Sequence, residues 1–184
     1  MALASFPALA SALAGAAAGS EDGPAFYFLS FSKGRTVGLV DHRIVMSGSG
    51  KITPSNVVGG GSFVHFNDAL APPKKPLLGS GTWKAKSLIR FGQIGSWGNL
   101  IAGILEADVH LVRETPSPAV IPARLKVTCN IGPAGLVNPG TPTPGEGFTL
   151  TVDGAPGSPF EPTTFPGGFP FGLTVFTMGG ERAD

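Results

Sequence analysis

Charge is scarce in this sequence. Asp, Glu, Lys and Arg together make up 14% of its 184 residues, against about 25% in ordinary globular domains. With 42% hydrophobic residues as well, the chain is too apolar to be broadly disordered. Cysteine is almost missing: Cys129 stands alone, which excludes an internal disulfide and with it the small secreted folds that depend on several. No run of about 18 apolar residues free of turn formers occurs, so no transmembrane helix is expected. Glycine and proline show no three-residue period, which excludes a collagen-like chain. No block of five or six like charges occurs, so a nucleic-acid tail is not expected either.

Catalytic signatures are also lacking. There is no Gly-x-Ser-x-Gly in a strand-turn-helix setting. The triple glycine at 59–61 is not followed by Lys-Ser/Thr and a helix, so it is not a phosphate loop and reads as a bulge or tight turn. The three histidines fall in neither a His-x-His nor a His-Glu-x-x-His pattern. Neither a metal nor an organic cofactor is expected.

What the chain has in quantity is Gly, 28 residues, and Pro, 18, punctuating short apolar runs. Ala25–Phe31 is aromatic and continuous. Further strands are expected over Thr36–Met46, Ser62–Phe66, Thr82–Phe91, Ile101–Arg113, Arg124–Ile131, Gly147–Val152 and Gly172–Thr177. Ser47–Gly50 and Gly79–Gly81 read as turns, and Gly92–Asn99 as the link that turns the chain. About eight short strands spaced by turn signals imply an all-β fold, a single antiparallel β-barrel or β-sandwich. Residues 21–184 form this one domain, with a Pro/Gly-rich C-terminal edge. Residues 1–20 read as a short helix with an apolar stripe of Phe6, Leu9, Ala10, Leu13 and Ala17, which caps the barrel or meets another subunit. No Lys or Arg precedes Lys33, so the segment lacks the positive region of a signal peptide. With the single cysteine, this favours a cytoplasmic location.

Charge is unevenly placed along the chain. Residues 33–126 carry 12 Lys/Arg against five Asp/Glu, and residues 127–184 one against five. The densest polar alternation lies in Leu105–Leu111. Period two sets Glu106, Asp108 and His110 on one strand face and the aliphatic residues on the other. Carboxylates two residues from an imidazole are the pattern of acid–base chemistry, and the same pattern arises on a plain solvated face. His65 is a further candidate for such a site. Arg90 and Arg113 are candidate anion partners and His42 a candidate ligand contact. Trp97, in a Gly/Asn loop, is a candidate platform for a sugar, an apolar ligand or a subunit.

Two functional readings follow. The favoured one is a β-rich binding or interaction protein that engages a small ligand, a glycan or sister subunits, as a homo-oligomer, through loops and exposed aromatics. The alternative is a small cofactor-free enzyme of isomerase or cyclase type, with Glu106, Asp108, His110 and His65 as an acid–base pocket inside a barrel.

Overall fold

The computed structural model describes residues 23–36, 41–70, 76–130, 146–163 and 172–179. Among them there is no helix. The chain forms nine strands: β1 (Ala25–Gly34), β2 (His42–Ile52), β3 (Val57–Asn67), β4 (Leu77–Trp97), β5 (Leu100–Thr115), β6 (Ala119–Cys129), β7 (Gly147–Thr151), β8 (Phe160–Pro162) and β9 (Gly172–Thr177). Every neighbouring pair is antiparallel, β1 through β8 follow one another around the wall, and β8 returns to β1. The sheet is therefore a closed barrel, as the strand count and turn spacing imply. β9 takes the same edge of β1 as β8. It covers Ala25–Ser30 and β8 covers Ser32–Gly34, so the two short strands lie end to end as one stave and eight staves close the wall. β9 also reaches β5 at Leu100 and Ile101. The N-terminal helix expected at 1–20 lies outside the described residues.

Alternation decides which side of each strand is buried. On β5, Leu105, Ala107, Val109 and Leu111 are buried and meet Val127, Leu125, Ala123 and Ile121 of β6. The interior is filled by large rings: Phe28, Trp83, Phe148, Phe160 and Phe176 are all fully buried, with Met46 beside them. Phe28 is the hub, 5.9 Å from Trp83 and 5.7 Å from Phe148 between ring centroids. Cys129 is fully buried, and its thiol donates to the Thr174 carbonyl oxygen at 3.2 Å. It behaves as a small core residue tying β6 to β9.

Three glycine stretches expected to turn the chain are strand interior instead. Gly48 and Gly50 face Gly61 and Gly59 across β2–β3, and Gly81 faces Phe63 across β3–β4. Gly50 and Gly59 make room for the Phe26 ring, Gly61 and Gly81 for the backbone of the neighbouring strand, and Gly48 for Trp83. The indole of Trp83 is turned with its Nε1–H toward the β2 backbone, where it donates to the Ser47 carbonyl oxygen at 2.8 Å. A Cβ on Gly48 would stand 2.2 Å from the Trp83 ring. Glycine here trades side-chain volume for close approach of an aromatic ring. The link expected at 92–99 also differs. β4 runs on to Trp97, and only Gly98 and Asn99 separate it from β5, with Gly98 at φ 57°. Three register shifts in β4, at 85/87, 88/90 and 93/95, break simple alternation. The inward residues are accordingly Ala85, Leu88 and Phe91, not an unbroken every-other series. Pro122 sits within β6 opposite His110. It is tolerated because β7 pairs with β6 only from Arg124 onward, so the proline faces a free edge.

Candidate functional site

The residues singled out in the sequence divide between the two faces of the barrel wall. Glu106, Asp108 and His110 are on the outside of β5. β4 and β6 flank them with cations, since the register sets Arg90 and Lys126 against Glu106, Arg124 against Asp108, and Lys84 against His110. Arg90 Nη2 donates to Glu106 Oε1 at 2.6 Å. That hydrogen bond holds the Glu106 carboxyl below its ordinary pKa, with Lys126 and Arg124 adding to the effect. Asp108 accepts from Ser87 Oγ at 3.2 Å and lies 3.5 Å from Arg124 Nε. The carboxylates thus belong to a cross-strand ion-pair ladder. Among the described residues neither carboxylate is hydrogen-bonded to His110.

A shallow groove of about 450 Å³ runs beside this ladder, with Lys86, Asp108, His110, Arg124, Thr151 and Asp153 among its walls. It holds cations, carboxylates, an imidazole and a hydroxyl over a floor of Val109, Pro122 and Ala123. Lys86, Arg124, Thr151 and Asp153 become members only once the chain is folded, because β4, β6, β7 and the turn after β7 bring them alongside.

His42 and His65 are on the inner face. The register His42↔Asn67 and Ile44↔His65 places the two imidazoles diagonally, and His42 Nδ1 lies 3.1 Å from His65 Nε2. One ring donates and the other accepts. His65 also packs edge-on against Phe160. Burial, with the neighbouring His42 adding to it, lowers the His65 pKa to about 4. His65 is therefore neutral near pH 7, and the two rings form a hydrogen-bonded pair. The barrel wall separates this pair from Glu106, Asp108 and His110, so the four candidate acid–base residues do not share a pocket.

The other three candidates also have definite places. Arg113 closes the β5–β6 hairpin, donating from Nε to the Ser117 carbonyl oxygen at 2.8 Å and from Nη2 to Ser117 Oγ at 3.1 Å. Arg90 is engaged by Glu106 as described. Trp97 stands at the tip of the β4–β5 hairpin, 51% exposed.

One buried carboxyl was not visible in the sequence. Glu146, just before β7, accepts a hydrogen bond from the Asn130 backbone N–H at the end of β6. Burial raises its pKa, and hydrogen bonds from Asn130 and Thr174 oppose that rise. It sits where β6 ends and β9 takes over from β7 and β8, so a side chain there supplies what a ladder would. A carboxyl with a raised native pKa binds more protons folded than unfolded, so its contribution to stability is greatest at low pH and is lost as pH rises through the raised value. Glu146→Gln keeps an acceptor oxygen and removes the charge. Urea unfolding of this variant is expected to lose that part of the fall in stability as pH rises above the ordinary carboxylate range, and an unchanged slope would show that Glu146 is solvated.

No protein-family model, no curated protein and no solved structure matches the chain. Among the described residues, no group of three or more His, Cys, Asp or Glu is placed to hold a metal ion, and no helix is long and apolar enough to cross a membrane.

Proposed function

We propose that the protein is a non-catalytic binding and interaction protein, and that it associates with sister subunits through the outer face of its barrel. The carrying observation is an apolar face on β1 and β9. Leu29 is 48% and Leu173 49% exposed, they are direct cross-strand partners, and Tyr27 and Val175 are the adjoining pair. Phe31 and Val45 extend the same face onto β2. Adjoining apolar side chains on an otherwise hydrogen-bonded sheet surface are characteristic of subunit contacts. The filling of the interior by Phe28, Trp83, Phe148, Phe160 and Phe176 favours recognition on the outside over chemistry within. Trp97 at its hairpin tip offers a second aromatic contact, suited to a glycan or a partner.

Sedimentation equilibrium tests the reading. The wild type is expected to associate at micromolar concentration, and Leu29→Lys with Leu173→Lys to shift it to monomer with an unchanged circular dichroism spectrum. A wild-type protein that stays monomeric over this range would refute the subunit contact.

A further inference from the structure

We infer that the opening between β3 and β4 is a docking site for an extended acidic peptide, which adds to the barrel as a further strand. The two strands pair from Phe66↔Leu77 down to Gly60↔Lys84 and no further. Beyond that point Val57–Gly59 pair only with β2, and the rest of β4 only with β5. Two strand edges thus face each other with no strand between them. Among the described residues, no other backbone–backbone hydrogen bond reaches either edge, although the Val57 N–H donates to Asn56 Oδ1 at 2.8 Å. The opening has a volume of about 580 Å³ and runs along Asn56–Gly61 and Thr82–Lys86.

The lining fits a backbone guest. Gly60, paired with Lys84, is the last closed rung above the opening, and a Cβ there would stand 2.7 Å from the Trp83 carbonyl oxygen, so the two strands meet closely just above the gap. Exposed strand edges ordinarily recruit another chain unless they are blunted. The lower part of β4 is blunted by its bulges at 88/90 and 93/95. The stretch beside Gly60 is interrupted only at 85/87, so it is the part of the edge nearest to a regular template. In β-strand addition the main chain supplies affinity and alternate side chains supply selectivity.

The selective groups are on the rim. Lys84 and Lys86 are exposed on the outer face of β4, and neither is in an ion pair with a described residue. Arg90, the next outward cation on the strand, is already neutralised by Glu106. Across the opening Val58 is 68% exposed. A guest alternating acidic and aliphatic residues would set its acidic side chains outward beside Lys84 and Lys86 and its aliphatic ones toward the barrel interior. This surface lies on other strands than the Leu29–Leu173 face, so either proposal can fail without the other.

The test uses the full-length protein and two capped hexapeptides, (Glu-Val)3 and (Lys-Val)3, with amide hydrogen exchange as the readout. The acidic peptide is expected to slow exchange at Val57–Gly59 and Ala85–Ser87 at least tenfold, with the effect weakening in 0.5 M salt. Lys84→Glu with Lys86→Glu, both on the exposed surface, is expected to transfer the protection to the basic peptide. Three results would overturn the proposal: no protection at millimolar peptide, equal protection by both peptides, or amides already protected in a concentration-dependent manner without peptide. The last would assign the opening to a second copy of this chain.

Discussion

Trp83→Ala is expected to cost about 3–5 kcal/mol, the usual loss for deleting a fully buried ring. For a domain of this size that is a large part of a total stability of about 5–15 kcal/mol. Trp83 fills the barrel between Phe28 and the glycines of β2 and satisfies the Ser47 carbonyl oxygen, so its removal leaves both a void and an unmade hydrogen bond. Gly48→Ala attacks the same contact from the other side. In the wild type the new methyl group collides with the indole, an overpacking change of about 1–3 kcal/mol. In the Trp83→Ala background the collision partner is gone, and the methyl group is expected to cost far less. Urea denaturation of the two single variants and the double variant measures this coupling. Additive losses would show that the ring does not lie on Gly48.

The second large effect is acid-induced. A histidine with its native pKa lowered to about 4, from an ordinary 6.5, binds fewer protons folded than unfolded between those values. Stability is therefore full above about pH 6.5 and is lost as pH falls toward 4. A fully buried shift of that size would amount to about 3 kcal/mol. The ring of His65 is partly solvated, so about 1–2 kcal/mol is expected. His65→Gln retains hydrogen-bonding capacity toward His42 without titrating in this range. The difference in unfolding free energy between pH 7 and pH 4.5 is expected to shrink by that amount in the variant. Equal differences in the two proteins would mean that His65 is exposed or already charged. Glu146 acts in the opposite sense, so the comparison must be made between variant and wild type rather than on the wild type alone.

How much of this was legible in the sequence differs from element to element. β5 was the clearest: Leu105, Ala107, Val109 and Leu111 alternate with polar residues, and the strand buries that side. β4 was misread in part because each bulge resets the alternation, and no residue type marks a bulge unambiguously. The glycines of β2 and β3 read as turns because what they make room for is distant in the chain: Trp83, some 35 residues onward, for Gly48, and Phe26 for Gly50 and Gly59. A glycine that makes room for a distant ring looks locally like one that turns the chain. The histidine pair was closer to being readable. Thr53 and Asn56 exchange backbone hydrogen bonds around Pro54-Ser55. Folding the hairpin about that turn sets residue 42 against 67 and brings His65 two pairs along, opposite Ile44, on the same face. The polar face of β5 was visible, but its neutralisation by Arg90 and Arg124 required the pairing order of three strands. Glu146 had no local signature, since its burial depends on β9 arriving beside β6.

The stave shared by β8 and β9 also bears on the order of assembly. β1 to β6 are joined to their sequence neighbours, so each pairing closes only a short loop. The contacts Ala25↔Thr177 and Phe26↔Phe176 join the two extremes of the described chain and carry a far greater entropy of closure. The ribbon of early strands is thus able to zip locally, while the cylinder is sealed late by its last few residues. Conditions that weaken both β8 and β9 would leave an unrolled sheet before they leave a random coil.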